Sequence, residues 1–237
     1  MSEVSTQMIT LITGANKGLG FETARRLKAH GHKVYIGVRD EHRGQTAADE
    51  LGVAFVQLDV TDEDSVAAAA AALTRLEGRL DVLVNNVGIP GPRKAAEDLT
   101  AADATEVFST NVVSAVRVTH AFLPLLARSA APAIVNVSSG LGSFAATHDE
   151  SRVESKVGLP LYSASKAALT MLTTEYAKLL PHIRVNAADP GYTATDFNGN
   201  SGPQTVTEGT DAIVRLATLD SDGHTGTYID RHGTVAW

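Results

Sequence analysis

A tyrosine and a lysine four residues apart, Tyr162 and Lys166, form a pair of side chains suited to proton transfer. Positions four apart on a helix share a face, so the phenol and the ammonium would lie side by side. The nearby cation would favour the phenolate and lower the pKa of the phenol from about 10. Ser139, at the end of an apolar run, could hydrogen-bond the same substrate oxygen. Because this spacing is also typical of an ordinary exposed helix face, the rest of the chain must decide between the two interpretations.

Composition excludes several classes of function. The chain has 237 residues and a net charge of −7, which argues against nucleic acid as a partner because phosphate binding needs a basic surface. It has no cysteine, so disulfide frameworks and thiolate sites are excluded, and its eight histidines are scattered without metal-ligand spacing. No apolar run reaches the roughly 18 residues of a membrane span, and the first residues do not resemble a signal peptide. We therefore expect a cytoplasmic protein without a metal or membrane partner.

Short apolar runs alternate with longer helical patterns, which predicts βαβ units. The expected fold is α/β, a doubly wound parallel sheet of seven strands flanked by helices, in a single domain spanning residues 1–237. The predicted strands are Met8–Thr13, Lys33–Val38, Val53–Leu58, Asp81–Asn85, Ala133–Ser138, Arg184–Ala188 and Thr227–Ile229. The predicted helices are Lys17–His30, Arg43–Leu51, Glu63–Leu76, Ala102–Ala127, Tyr162–Leu180 and Val206–Leu219.

A glycine-rich turn follows the first predicted strand and opens into the first helix. Such a turn lets the backbone approach a ligand closely, and the helix N-terminus presents free N–H groups to a diphosphate. Its spacing is GxxxGxG, and it lacks the Gly-Lys-Ser/Thr of a P-loop. The turn therefore predicts a dinucleotide site, and its candidate residues are Gly14, Asn16, Lys17, Gly18, Leu19 and Gly20.

The end of the second predicted strand bears on the choice of cofactor. An acid here would hold the ribose 2′-OH of NAD, whereas this chain has Val38 followed by Arg39. The guanidinium suits a 2′-phosphate, and Lys17 can converge on the same group. We therefore expect NADP(H). Asp40 lies close enough to act as the ribose acid, which keeps NAD(H) as the alternative.

Several motifs occur in order along the chain: the glycine turn, Asp59 in LDVTD, Asn85-Asn86-Val87-Gly88, Asn111, Ser139, the Tyr162/Lys166 pair and Pro190-Gly191. Together they resemble the short-chain dehydrogenase/reductase family, specifically its carbonyl-reductase-like members, from about residue 8 to the C-terminus. The resemblance implies a Rossmann-type fold and a nicotinamide dinucleotide cofactor. The chain departs from the family pattern at Val87, where alanine is usual.

The resemblance also implies roles for individual residues. Asp59 would bind the adenine amino group with Val60 beside it, Asn86 and Gly88 would lie along the adenosine ribose, and Pro190, Gly191, Thr193 and Thr195 would hold the nicotinamide. Tyr162 would be the general acid, and Lys166 would lower its pKa and hold the nicotinamide ribose. Ser139 would stabilise the substrate oxygen, with Ser138 supporting its loop. Asn111 would distort its helix and hold a water that relays protons to the lysine.

The expected reaction is NADPH-dependent reduction of an aldehyde, ketone or quinone to an alcohol. The alternatives are an NAD-dependent alcohol dehydrogenase of the same fold and a dinucleotide-sensing regulator without activity. The predicted pocket is partly apolar, and its walls come from residues 89–92, 141–161 and 192–206, with Phe144, Leu159, Tyr192 and Phe197 among them. Apolar faces on the fourth and fifth predicted helices indicate a homo-oligomer, and a monomer is the alternative.

Overall fold

A computed structural model describes residues 7–237 and shows one sheet of seven parallel strands. The strands lie in the order β3-β2-β1-β4-β5-β6-β7. This order confirms the predicted doubly wound, Rossmann-type sheet flanked by helices. The strand bounds are β1 Ile9–Thr13, β2 Lys33–Val38, β3 Ala54–Gln57, β4 Val82–Asn85, β5 Ala133–Val137, β6 Arg184–Ala188 and β7 Tyr228–Ile229.

Nine α-helices and one π-helical segment accompany the strands within residues 7–237. Their bounds are α1 Gly18–Ala29, α2 Glu41–Leu51, α3 Glu63–Leu76, α4 Ala101–Phe108, the π segment Ser109–Val113, α5 Ser114–Leu126, α6 Phe144–His148, α7 Pro160–Leu179, α8 Val206–Gly209 and α9 Asp211–Ala217. Short 3₁₀ turns occur at Ala96–Asp98, Gly140–Gly142, Val153–Lys156 and Asp196–Asn198.

The central strands are apolar on both faces because helices cover the sheet from both sides. One apolar layer joins the sheet to α1, α2 and α9, and Leu27, Ala48 and Ile213 are buried in it. The other layer joins the sheet to α3, α5 and α7, where Leu73 and Phe122 are completely buried. The sheet is thus fixed between two layers of helices.

Two predicted helices differ from those observed. The predicted helix Ala102–Ala127 is interrupted by the π segment, which separates α4 from α5. The predicted helix Val206–Leu219 is split at Thr210, which ends α8 and begins α9. Thr205 and Glu208 form a capping box at the start of α8, and Thr210 has a ψ of −1°, outside the regular helical range.

The strand order places the sheet's topological switch point between β1 and β4. In such sheets the crevice at the carboxyl ends of the strands binds ligands. The glycine turn follows β1 and the Asn86–Gly88 segment follows β4, so both lie at this edge. Within residues 7–237, no helix combines the length and apolarity that a membrane crossing requires.

Candidate active site

The glycine turn after β1 uses backbone conformations that favour glycine. Gly14 and Gly18 have φ angles of 66° and 57°. A Cβ on Gly20 would lie 2.7 Å from Asn86 Nδ2, so the first turn of α1 packs directly against the residue that follows β4. Asn86 Nδ2 donates a hydrogen bond to the Thr13 carbonyl at 2.9 Å, which holds the start of the turn against the segment after β4. The predicted site residues that follow β1 therefore contact those that follow β4.

Val87 packs against the glycine turn. Its Cγ2 atom lies 2.8 Å from the position that a Cβ on Gly14 would take. The larger side chain, where the family has alanine, thus fills space beneath the turn, and Gly14 accommodates it by lacking a Cβ.

Glycines border the crevice at the carboxyl edge of the sheet at both of its ends. Beside Gly18, the neighbours of a hypothetical Cβ are atoms of Thr195 at 3.8 and 3.9 Å, so the glycine turn faces the segment after β6. At the other end, a Cβ on Gly88 would lie 3.4 Å from Lys166 Nζ and 3.5 Å from Asn111 Oδ1. Glycines thus keep the backbone accessible at both ends of the crevice, as a closely bound cofactor requires.

The two cations predicted at the 2′-phosphate face different acids. Arg39 is 79% exposed and lies 3.9 Å from Asp59, at the end of β2. Lys17 forms an ion pair with Asp196 at 3.0 Å. Burial would raise the pKa of Asp59, but hydrogen bonds from Thr61 and the charge of Arg39 hold it below its usual value. The Asp59 carboxylate is therefore ionised at neutral pH.

Asp40 has a structural role. Its side chain accepts a hydrogen bond from the Arg43 backbone N–H at 2.8 Å and caps the N-terminus of α2. The carboxylate that could compete with Arg39 for a ribose is therefore engaged by the helix. Asp59 does not cap α3, because Asp62 is the residue at that position.

The turn after β6 supplies the other predicted cofactor contacts. Gly191 has a φ of 66°, which favours glycine. Thr193 is buried and donates from its hydroxyl to the Pro190 carbonyl at 2.8 Å. Thr195 begins the next 3₁₀ turn with a capping box. This segment is ordered by its own hydrogen bonds and lies over the glycine turn.

Tyr162 and Lys166 lie one turn apart on α7, both buried. Lys166 Nζ is 5.6 Å from the Tyr162 ring centroid and donates to the Val137 carbonyl at 2.7 Å. That carbonyl belongs to the last residue of β5, directly before the two serines. The alternative interpretation of this spacing, in which the pair lies on an ordinary exposed helix face, is therefore wrong.

The pKa values of the pair are governed by burial. Burial raises the pKa of Tyr162, and the Ser139 hydroxyl acts in the opposite direction. The sequence predicts a lowered tyrosine pKa, and this expectation is wrong for the structure because removal from water outweighs the favourable neighbours. Burial lowers the pKa of Lys166 to about 8, against the raising effect of the Asp189 charge. At neutral pH the phenol is therefore protonated and the amine is mostly charged.

Ser139 and Ser138 occupy different environments. Ser139 is half-buried and faces the Tyr162 phenol. Ser138 is 1% exposed, and its hydroxyl donates to the Lys166 carbonyl at 3.3 Å. The structure thus places Ser139 toward the candidate reaction centre, whereas Ser138 attaches the end of β5 to α7.

Asn111 lies in the middle of the π segment and is 1% exposed. Its amide exchanges two hydrogen bonds with the Ile89 backbone, accepting at 2.8 Å and donating at 2.9 Å. It also donates to Ser165 Oγ at 2.9 Å. The π-helical turn therefore holds the segment that follows β4 against α7 at the candidate site.

Three residues near the site are absent from the sequence-based candidates. Ser165 links Asn111 to α7, and Tyr228 on β7 donates from its hydroxyl to the Ser139 carbonyl. Asp189 is a buried acid directly before the Pro190-Gly191 turn. Its position at the end of a buried strand is the available sequence signal, because a charged residue there is unusual.

The predicted apolar pocket residues separate into two groups. Phe144 and Leu159 line a cavity of about 430 Å³ between the segment 141–160 and the first turns of α7. Phe197 instead packs on Tyr162, and the Tyr192 hydroxyl lies 2.6 Å from Ser201 Oγ. The side chains after β6 are thus the ones in contact with the candidate acid. Among residues 7–237, no three His, Asp or Glu side chains cluster as metal ligands.

The chain is similar in sequence and in fold to known proteins. Residues 8–205 match the family model described as short chain dehydrogenase. The chain is 33% identical to (−)-isopiperitenone reductase of Mentha piperita, over all of this chain and 99% of that protein. It is 30% identical to (+)-neomenthol dehydrogenase of Capsicum annuum, over 98% of both chains.

A solved structure is similar over the same extent. The NADPH-bound carbonyl reductase from chicken fatty liver superimposes with a TM-score of 0.85 at 30% identity, covering 98% of this chain and all of the other. The matched family, the sequence identities and the shared sheet lead to one conclusion. This chain belongs to the short-chain dehydrogenase/reductase family of oxidoreductases, whose members bind a nicotinamide dinucleotide.

Proposed function

We propose that this protein is an NADPH-dependent reductase that converts an uncharged carbonyl compound into an alcohol. The observation that carries the proposal is the convergence of Ser139, Tyr162 and Lys166 at the carboxyl edge of the sheet, beside a crevice lined by glycines. The protonated state of the buried phenol favours the reductive direction, because reduction of a carbonyl consumes a proton. The matched relatives include reductases, which agrees with this direction.

The cofactor would be held along the crevice by residues that follow five strands, β1, β2, β3, β4 and β6, and by two residues of α7. Those toward the phosphates and adenosine are Gly14, Asn16, Lys17, Gly18, Leu19, Gly20, Arg39, Asp59, Val60 and Asn86. Those toward the nicotinamide are Gly88, which lies beside Lys166 and not at the adenosine ribose as expected, and Tyr162, Lys166, Pro190, Gly191, Thr193 and Thr195. The exposed guanidinium of Arg39 favours the 2′-phosphate of NADPH, since Asp40 is engaged as a helix cap. When bound, NADPH supplies the hydride that adds to the carbonyl carbon.

The protein would supply the proton and stabilise the charge on the oxygen. As the C=O double bond is reduced, Tyr162 transfers its phenolic proton to the oxygen and leaves a phenolate. Ser139 donates a hydrogen bond to the same oxygen, an interaction worth about 3 kcal/mol at comparable sites. The charged amine of Lys166, close to the phenol ring, stabilises the phenolate formed.

The proton on Tyr162 must then be replaced. Lys166 Nζ and Asn111 Oδ1 both lie within 3.5 Å of the same point beside Gly88. We infer that one water placed near this point would connect the amine to the π segment and, through it, to solvent. Asn111 belongs in the catalytic set for this reason, as the residue that keeps the relay open.

The substrate would be an uncharged aldehyde, ketone or quinone. Phe197, packed against the Tyr162 ring, gives the reaction centre one apolar wall. The cavity lined by Leu141, Phe144 and Leu159 does not include Tyr162 or Ser139 among its lining residues, so we do not assign it to the substrate.

We also propose a homo-oligomer. Val113 and Val116 beside and on α5, and Met171 and Leu179 on α7, are between 36% and 71% exposed. Apolar side chains on neighbouring helices favour burial against a second copy. Light scattering tests this point, and a monomeric mass at assay concentration would contradict it.

The central test is an assay of a panel of uncharged carbonyls with NADPH, using the wild type and Tyr162→Phe. The variant keeps the ring and its packing but lacks the transferable proton, so we expect turnover to fall by at least about 1,000-fold. NADPH affinity, measured by fluorescence titration, should change less than about threefold. Unchanged turnover by the variant would refute Tyr162 as the acid. A wild type active only on charged substrates would refute the proposed substrate class.

A further inference from the structure

One acid at the site has no role in the chemistry described so far. Asp189 follows β6 and is 3% exposed, and no Lys or Arg within residues 7–237 forms an ion pair with it. A buried carboxylate without a paired cation is costly, and the folded protein tolerates it only through hydrogen bonds. Its retention at the edge of the site therefore calls for a function.

The carboxylate holds together the two turns that flank the reaction centre. Asp189 accepts a hydrogen bond from the Gly191 backbone N–H at 2.9 Å. The backbone of Gly140, directly after Ser139, lies against the same carboxylate. Asp189 Oδ2 lies 2.9 Å from the position of a hypothetical Cβ on Gly140, so a side chain there would displace the carboxylate. One side chain thus joins the turn of the candidate serine to the turn after β6.

Residues from several elements face Asp189. The charged and titratable groups around it are Glu154 and Arg152 of the segment 140–160, Asp230 and Tyr228 from β7 and its end, and Tyr162 and Lys166 of α7. Arg152 is engaged by Glu154 through two hydrogen bonds of 3.0 and 3.1 Å. Lys166 Nζ donates to the Val137 carbonyl, and Val137 pairs in register with the residue directly before Asp189. The negative charge of Asp189 therefore acts on the groups of α7, and it also acts on Tyr228 and Arg152.

We propose that Asp189 is a positioning residue that joins the Ser139 and Gly191 turns and, as a carboxylate, keeps the Tyr162–Lys166 pair protonated for reduction. This inference rests on the proposed function. The charge of Asp189 raises the pKa of Lys166 against the effect of burial, and it adds to the raised pKa of Tyr162. Both effects preserve the protonated forms, and the geometry fixes Ser139 beside them.

The first test compares kcat/KM from pH 5 to pH 10 for the wild type, Asp189→Asn and Asp81→Asn. Asp81 is also a buried acid, but it lies at the opposite edge of the sheet beside Arg79. We expect the alkaline pKa of the profile to move down by at least about 0.5 in Asp189→Asn, because the stabilising charge is removed. Its kcat should fall about tenfold or more. Asp81→Asn should retain the wild-type profile.

The second test needs no turnover. Burial raises the pKa of Asp189 to about 6, from an ordinary value of 3.8. The folded state thus binds this proton more tightly than the unfolded state, and stability falls as pH rises from about 4 to 6. Urea unfolding across this pH range should show that the free energy of unfolding falls in the wild type and falls less in Asp189→Asn. Glu154→Gln removes a negative charge that raises the pKa of Asp189, so the loss of stability should occur at lower pH in this variant.

The outcomes separate the two proposals. An active wild type whose alkaline pKa is unmoved in Asp189→Asn would refute the role of Asp189 alone, even if kcat fell. If Asp189→Asn does not fold, Glu154→Gln decides the test. A loss of stability over the same pH range as in the wild type would then refute the role of Asp189. Absence of wild-type turnover with every carbonyl would refute the proposed function and this inference with it. The expected shift in both measurements would support it.

Discussion

Tyr162 and Phe197 pack ring against ring, with centroids 5.5 Å apart and planes inclined by 55°. The geometry is typical of a favourable tilted aromatic pair. Phe197 lies in the 3₁₀ turn after β6, far from Tyr162 in sequence, and is 42% exposed. The residue that contacts the candidate acid therefore belongs to a surface segment able to meet a substrate.

Replacing Phe197 with alanine should impair apolar substrates. We expect KM for an aromatic ketone to rise about tenfold, because one apolar wall is lost, while kcat for a small aldehyde changes little. Steady-state kinetics on both substrates measures this. Phe144→Ala is the matched control, since Phe144 is 70% exposed on the other side of α7. Equal effects of the two variants would contradict the placement of the pocket beside Phe197.

Arg39→Ala should narrow the preference for NADPH over NADH. The guanidinium suits a 2′-phosphate, so KM for NADPH should rise about 10- to 100-fold while KM for NADH stays within about threefold. Lys17→Ala should have a smaller effect, because Lys17 is partnered by Asp196. A parallel rise for both cofactors would show that Arg39 acts on the fold and not on the phosphate.

Asp40→Ala should distinguish a helix-capping role of this carboxylate from a contact with the cofactor ribose. Loss of the hydrogen bond to the Arg43 N–H should cost about 1 kcal/mol in the free energy of unfolding. Affinity for NADH should remain unchanged, because the carboxylate is engaged by α2. Chemical denaturation and fluorescence titration measure the two quantities. A large loss of NADH affinity with unchanged stability would assign Asp40 to the ribose.

Gly88→Ala should slow the reaction without unfolding the protein. The added methyl would lie 3.4 Å from Lys166 Nζ and 3.5 Å from Asn111 Oδ1, where the proton relay is proposed. We expect kcat to fall about tenfold and the free energy of unfolding to change by less than about 1 kcal/mol. Gly158→Ala is the control, since no atom lies within 4 Å of its hypothetical Cβ. Wild-type kcat in Gly88→Ala would argue against a relay at this point.

The buried amine of Lys166 predicts a dependence of stability on pH. Its pKa is lowered from 10.5 to about 8 by burial, so above pH 8 the folded state releases this proton before the unfolded state does. Stability should therefore rise between about pH 8 and pH 10, by on the order of 1 kcal/mol or more. Lys166→Met should lack this rise, whereas Lys178→Met, at an exposed position, should retain it. Urea titrations at fixed pH values test both.

The periodicity of the sequence was sufficient to predict the sheet. The predicted bounds of Lys33–Val38 and Arg184–Ala188 agree with β2 and β6, and the other strands differ by one residue at either end. Buried parallel strands are short, continuous and apolar, so their limits are visible in the residue types. The shared face of Tyr162 and Lys166 likewise follows from helical spacing.

Features that depend on tertiary contacts could not be predicted from periodicity. The π segment arises because the amide of Asn111 binds the Ile89 backbone and Ser165, and neither contact is local in sequence. The raised pKa of Tyr162 depends on how deeply α7 is buried. The sequence places Asp189 at the end of a buried strand but does not show its contact with Gly140, because that contact exists only once β5 and β6 are paired.

The five-residue π segment at the candidate site sets which side chains of α5 face the sheet. Deleting one residue from Ser109–Val113 would restore regular helix and rotate every later side chain by about 100°. Val118 and Phe122, now completely enclosed or nearly so against the sheet, would turn away from it. An evolving chain could therefore not shed this irregularity by a single deletion without also losing one of its two apolar layers.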